Sequence, residues 1–307
     1  MVLGYLEDSS VVPYGEGEGK GFELSPEEET ELKLIANGIR RDIVQMTYMA
    51  KSGHPGGSLS AVEIMVSLYW RFLSHRPHEP WWEGRDRFVL SKGHACPVLY
   101  ACLAARGYFP KDMLWTFRKL GSILQGHPEY GKAPGIEATT GSLGQGFGVA
   151  VGMALAFKLD RRPNRVYVLV GDGEIQEGCV WESAMTASFR GLDNLTAILD
   201  HNGLQIDGSV REVKGSLYPL REKWEAFGWK VVEADGHSFR ELFRALGEAV
   251  STRGVPTVVI AHTVKGKGVS FMEGKVSFHG KPPTASELEE ALRELADRER
   301  AIREGRA

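Results

Sequence analysis

Cysteine is scarce in this chain. Its 307 residues include three, Cys96, Cys102 and Cys179, and at these spacings they make neither a disulfide framework nor a zinc site. The expectation is a reducing, cytoplasmic compartment. Long apolar runs are missing too. No stretch reaches the roughly 18 residues that read as a membrane span, and the N-terminus sets Glu7 and Asp8 ahead of any apolar core, without a signal-peptide pattern. Positive charge is not in excess: 37 Lys and Arg stand against 40 Asp and Glu, for a net charge of -3. A basic nucleic-acid footprint is therefore not supported. No Gly-x-Ser-x-Gly elbow suggests a hydrolase, and no carboxylate–histidine spacing suggests zinc.

Glycine, by contrast, is abundant. The 37 glycines exceed the usual share of about 7%. They cluster between periodic segments, as expected where turns are tight and backbone approaches a ligand closely. Apolar residues at 42% and charged residues at 25% describe an ordinary globular chain, long enough for one large domain or two modest ones.

Residues 1–24 lack periodicity and read as a loose arm. Ser25-Pro26-Glu27-Glu28 then has the form of a capping box with proline at the first helical position, predicting a helix to about Ala50. A second helix is expected near 61–72. From residue 165 the pattern alternates: strand 165–170, helix near 181–190, strand 195–199, helix near 219–227, strand 230–233, a helix near 239–251 capped by Ser238, and strand 257–261. Repeated βα units predict an α/β fold, a parallel sheet with helices on both faces. Residues 25–283 form the expected domain. The tail, 284–307, reads as a solvated surface helix.

Two motifs lie at matching places in this alternation. Gly171-Asp172-Gly173 ends one apolar run, and Asn202 follows the next, 30 residues beyond Asp172. Ligands of parallel sheets bind at the carboxyl ends of strands. Asp172 and Asn202 are hard oxygen donors suited to Mg²⁺ or Ca²⁺, and the backbone carbonyl of Leu204 offers a third oxygen. Mg²⁺ usually takes further ligands from phosphate and water, so the pattern reads as half of a metal–diphosphate site. Gly141-Ser142-Leu143-Gly144-Gln145-Gly146 opens a helical segment and lets backbone N–H groups approach an anion. The structural alternative is close helix packing at glycine.

Histidine placement is the other signal. Four of nine histidines follow glycine, namely His54, His94, His127 and His237, and His279 precedes Gly280. Loop-borne imidazoles suit proton transfer and hydroxyl recognition near neutral pH. Without a nucleophile beside them, His54, His94, His127 and His279 suit an enzyme whose cofactor performs the bond chemistry. His237 reads as a loop histidine bonded to backbone, and His75 and His78 as surface loop. His201 and His262 are open. Lys92 and Lys265 could hold phosphate as point charges or simply be exposed.

Five segments occur in an order that carries a resemblance: Ser52-Gly53-His54-Pro55-Gly56-Gly57, Arg87-Phe88-Val89-Leu90-Ser91-Lys92-Gly93-His94, Gly126-His127-Pro128-Glu129, Thr140-Gly141-Ser142-Leu143-Gly144-Gln145-Gly146 and Gly171-Asp172-Gly173-Glu174-Ile175-Gln176-Glu177-Gly178. Over about residues 30–282 the chain resembles transketolase, in its N-terminal, diphosphate-binding (PP-type) half. The resemblance implies thiamine diphosphate with Mg²⁺ or Ca²⁺. It implies Asp172, Asn202 and the Leu204 carbonyl as metal ligands. Gly141, Ser142, Leu143, Gly173 and His94 become cofactor contacts, with Lys265 and Glu177 nearby, Glu177 toward a subunit interface. His54, His127 and His279 become sugar-facing catalytic residues. The implied reaction moves a two-carbon ketol unit from a ketose phosphate (xylulose 5-phosphate) to an aldose phosphate (ribose 5-phosphate).

A transketolase of full length continues for roughly twice this span, into a pyrimidine-binding domain with the glutamate that activates the cofactor. The resemblance is therefore to the N-terminal subunit of a split enzyme, inert alone and forming an α2β2 heterotetramer with a C-terminal, pyrimidine-domain subunit. Three alternatives stand beside this reading. One is a split relative acting on another ketose or aldehyde. The second is an α chain of a 2-oxo-acid dehydrogenase, whose substrates leave the histidines unexplained. The third is a non-catalytic module that kept the fold.

Overall fold

The computed structural model describes residues 23–306; most of the N-terminal arm expected over 1–24 lies outside them. The first helix, α1 (Pro26–Ala50), begins as its sequence dictates. Ser25 Oγ accepts the Glu28 N–H at 3.1 Å, and Glu28 returns a carboxylate oxygen to the Ser25 N–H at 3.1 Å. A short α2 (Pro55–Leu59) follows. The helix expected near 61–72 is α3 (Val62–Ser67), which widens into a π-helical turn over Leu68–Phe72.

A strand that the alternation did not predict comes next, β1 (Arg87–Leu90), then α4 (Cys96–Ala105) and α5 (Gln145–Leu159). The expected βα series follows: β2 (Val166–Gly171), α6 (Gly178–Phe189), β3 (Leu195–His201), a small hairpin of β4 (Leu204–Gln205) and β5 (Gly208–Ser209), α7 (Val210–Lys214), α8 (Leu220–Ala226), β6 (Lys230–Asp235), α9 (Phe239–Ser251) and β7 (Thr257–His262). The five long strands form one all-parallel sheet in the order β1-β2-β3-β7-β6.

Alternation along the strands feeds two cores. Phe88, Leu90, Tyr167, Leu169, Ile198, Val259 and Ala261 point to the face covered by α1, α3, α4 and α9. Val89, Val166, Val168, Val170, Ala197, Leu199, Val258 and Ile260 point to the face covered by α5, α6 and α8. Burial on both faces explains why the strands read as continuous apolar runs, and each buried Val, Leu, Ile or Phe among them contributes about 1.5–3 kcal/mol.

The last helix, α10 (Ala285–Arg303), starts on a capping box of Thr284 and Glu287. It is not simply a solvated surface helix. Ala291 and Leu295 are buried in the first core, and the Leu295 carbonyl accepts Asn37 Nδ2 of α1 at 2.9 Å. His75 corrects a second expectation. It is buried rather than on the surface, because its two ring nitrogens meet the Tyr108 hydroxyl at 3.0 Å and the Tyr69 carbonyl at 2.9 Å. Among the described residues no helix is long and apolar enough to cross a membrane. All three cysteines are free.

Candidate active site

The chain leaves β3 toward one face of the sheet and β7 toward the other, so the loops at their carboxyl ends part and open a crevice. Asp172 sits there, directly after β2, and is buried. Its two carboxylate oxygens accept the N–H groups of Gly173 at 2.8 Å and Gly203 at 2.6 Å. Burial, and then the neighbouring Asp200 carboxylate, push its pKa up to about 7. Among the described residues no Lys, Arg or His forms an ion pair with it. Lys265 acts on it only from beyond ion-pair distance; a buried carboxylate so weakly compensated is costly, and a divalent cation fits this donor chemistry. Asn202 Oδ1 accepts the Leu204 N–H at 3.1 Å, which fixes the turn that carries the Leu204 carbonyl.

Lys265 connects this turn to the histidines. Its Nζ lies 3.5 Å from the Leu204 carbonyl and 3.0 Å from His279 Nδ1. Burial, and then Lys92, lower its pKa to about 8. His279 in turn meets His54 and His94: ring centroids are 5.5 Å apart for His54 and His279, 5.1 Å for His94 and His279, and 5.2 Å for His54 and His94. Residues from three distant segments thus converge. His127 stands beside this group rather than in it, with its ring over Gly141, where a Cβ would come within 3.0 Å of it.

Glycine makes the convergence possible at two points. A Cβ on Gly56 would lie 2.8 Å from the Phe278 carbonyl, and one on Gly93 would lie 2.6 Å from Thr140 Oγ1 and 2.8 Å from the Gly141 nitrogen. The first contact lets α2 meet the turn bearing His279. The second lets His94 approach the 141–143 loop.

Buried polar residues that the sequence did not single out hold this frame. Glu174 accepts hydrogen bonds from Ser91 Oγ at 2.5 Å, the Gly144 N–H at 2.9 Å and the Gly171 N–H at 3.0 Å. It therefore joins the ends of β1 and β2 to the start of α5. Asp200, wholly buried in β3, accepts from Ser60 Oγ at 2.6 Å and from Thr263 Oγ1, and pairs with Lys92. Burial raises its pKa, but Lys92 overrides this and holds the carboxyl at about 2. Lys92 is thus neither exposed nor free for phosphate; it neutralises Asp200 and also donates to the Gly57 carbonyl at 2.8 Å. The Gly-Asp-Gly-Glu run and an aspartate closing an apolar strand were the available signals.

Glu177 is exposed at the start of α6, and its Cβ lies beside Gly144, where an added Cβ would come within 3.0 Å of it. His237 accepts the Val264 N–H on Nε2 at 2.8 Å, matching the expected backbone bond, and its Nδ1 meets Glu63 at 3.0 Å.

A family model described as "Transketolase, thiamine diphosphate binding domain" matches residues 32–299. The chain is 46% identical over 269 residues to 6-deoxy-6-sulfo-D-fructose transketolase subunit SqwG of Clostridium sp. (strain MSTE9), spanning 88% of this chain and 98% of that protein. It is 44% identical over 267 residues to an apulose-4-phosphate transketolase subunit of Phocaeicola vulgatus, spanning 87% and 94%. The solved transketolase of Leishmania mexicana superposes with a TM-score of 0.81 at 33% identity, covering 88% of this chain but 43% of that one. The chain belongs to the transketolase family of transferases, and its parallel sheet is that family's thiamine diphosphate-binding domain.

Proposed function

We propose that this chain is the N-terminal subunit of a two-chain transketolase, transferring a two-carbon ketol unit from a ketose derivative to an aldehyde acceptor. One observation carries the reading. The oxygen donors of Asp172, Asn202 and Leu204 share a crevice with the imidazoles of His54, His94 and His279, and Lys265 touches both sets.

Asp172, Asn202 and the Leu204 carbonyl would hold Mg²⁺ or Ca²⁺. The backbone at Gly141, Ser142, Leu143 and Gly173, with His94 and Lys265, would hold thiamine diphosphate, and exposed Glu177 would face a neighbouring subunit. When bound, the cofactor supplies the electron sink for cleaving a carbon–carbon bond. The chain's own residues position substrate and move protons. His54 Nδ1 is buried without a partner among the described residues, so this ring carries unsatisfied hydrogen-bonding capacity at the site. His127 and His279 stand at its flanks, and the three would face the sugar hydroxyls.

A second subunit, carrying the pyrimidine domain, completes the site. The near-complete coverage of two relatives that are themselves named as subunits supports the split. So does an unpartnered surface. Val149, Gly152, Ala156 and Leu159 recur at helical spacing on the exposed side of α5, beside exposed Met185 and Phe189 of α6. An apolar stripe of this kind marks a protein contact, and we assign it to an α2β2 assembly. Three free thiols suit the cytoplasm.

For the sugar, the relatives' names favour a ketose with an anionic terminus over a commitment to xylulose 5-phosphate and ribose 5-phosphate. The test combines the chain with the pyrimidine-domain subunit, thiamine diphosphate and Mg²⁺. Xylulose 5-phosphate, 6-deoxy-6-sulfofructose and apulose 4-phosphate are then compared as donors. Turnover requiring both subunits is expected. Turnover by this chain alone, or no cofactor binding even with the partner, overturns the proposal.

A further inference from the structure

Beside the cofactor crevice, two histidines meet across neighbouring strands. β3 ends at His201 and β7 at His262, which are register partners. Their Nδ1 atoms lie 3.1 Å apart. Each ring is held from behind. His201 Nε2 is 3.0 Å from the Tyr218 hydroxyl, and His262 Nε2 is 2.7 Å from a Glu233 oxygen. The other Glu233 oxygen accepts Arg221 Nε at 2.7 Å. The Thr263 N–H donates to the His201 carbonyl at 3.1 Å and locks the two strand ends together.

An imidazole anchored through its distal nitrogen to a carboxylate or hydroxyl, with its near nitrogen turned to a shared point, has the form of a metal-ligating histidine. Two nitrogens bound to one tetrahedral zinc ion at ordinary Zn–N lengths sit about 3.3 Å apart. The observed 3.1 Å is close to that edge. Because both rings stand at the ends of paired strands, the spacing follows from sheet register rather than from loop geometry. The His262 side chain is 49% exposed, so water reaches the point where the rings meet. Among the described residues no third His, Cys, Asp or Glu completes a cluster, and the remaining positions fall to water or to a group from a partner chain.

The protons balance without loss. In the ion-free state His262 donates from Nε2 to Glu233, so its Nδ1 accepts from His201 Nδ1, and His201 Nε2 accepts from Tyr218. Binding requires His201 to carry its proton on Nε2 instead, where it donates to the Tyr218 oxygen while that hydroxyl turns away.

We propose that His201 and His262 form a site for a borderline divalent ion, zinc first, distinct from the oxygen site of Asp172 and Asn202. Imidazole nitrogen suits zinc-type ions, whereas Mg²⁺ and Ca²⁺ take oxygen. The bound ion staples β3 to β7 at the edge of the crevice.

The test uses the full chain, stripped with chelator and held in saturating Mg²⁺. Zn²⁺ is titrated by calorimetry, and Co²⁺ by visible absorption. Wild type should take up one equivalent of Zn²⁺ that His262→Asn lacks, and Zn²⁺ should raise the melting temperature of wild type alone. Comparison with His262→Asn also removes any contribution from the cluster of His54, His94 and His279. Glu233→Gln should keep the stoichiometry but weaken Zn²⁺ binding about 10- to 100-fold. Equal Zn²⁺ uptake by wild type and His262→Asn overturns the site. Should His262→Asn fail to fold, an unchanged Zn²⁺ affinity in Glu233→Gln overturns it instead.

Discussion

His54, His94 and His279 owe their chemistry to where they are held. Burial is the largest influence on each. Arg118 adds to it at His54, Lys92 at His94 and Lys265 at His279. The result pushes His54 down to about 4, His279 down to about 3 and His94 well below its ordinary value. All three are therefore held neutral at physiological pH, and in the proposed reading they would act through uncharged hydrogen bonds. The sign for stability follows. Below about 6.5 the unfolded chain takes up protons that the folded chain refuses, so their contribution is full above that pH and is lost as pH falls toward 4. The ring-proton resonances of His54 and His279 should stay constant between pH 8 and 5.5; a midpoint near 6.5 for either contradicts this. Asp172→Ala should weaken Mg²⁺-dependent thiamine diphosphate binding by about 2–3 kcal/mol, measured by calorimetry with the partner present. Unchanged affinity refutes the metal assignment. His54→Ala should lower kcat and leave cofactor affinity nearly intact. At this scale the sequence exposed the candidate residues through Gly-His pairs and strand-end oxygens. It hid Asp200 and the true role of Lys92, since nothing local says that residues 108 positions apart will pair.

Elements were legible where local rules decide them. The capping box at Ser25, the Ser238 cap and the strands β2, β3, β6 and β7 lie within two residues or so of expectation. β1 was missed because four residues, Arg87 to Leu90, give too short a run to stand out from the flanking motif. The joints between elements were less visible. Glu174 ties two strand ends to a helix start, and Glu174→Ala would leave the buried N–H of Gly144 and the partly buried N–H of Gly171 without this acceptor. We expect a stability loss of about 3 kcal/mol, read from the denaturant midpoint; a loss below about 1 kcal/mol would show that the joint is dispensable. Gly56→Ala forces a Cβ against the Phe278 carbonyl. It should displace the His279 turn and cut turnover while far-UV circular dichroism stays native. Full activity in that variant would show that the approach of α2 to this turn does not matter.

For the whole molecule, the exposed apolar stripe of α5 and α6 bears on assembly. A helix apolar on all sides is normally buried on all sides, yet α5 leaves Val149 and Leu159 in solvent. Leu159→Lys combined with Phe189→Asp should lower the sedimentation coefficient of the assembled enzyme and leave the melting of the isolated chain within a few degrees. An unchanged assembly would move the interface elsewhere. The sequence by itself determined the alternation of strands and helices, the caps, and the family motifs, because each is written within a few residues and acts through local backbone and side-chain chemistry. Only the tertiary structure decided which histidines share a crevice, that His75 is buried, that α10 packs on α1, and that His201 faces His262. Those depend on sheet order and on which face each crossover takes, and such long-range pairings are set by packing the whole chain at once.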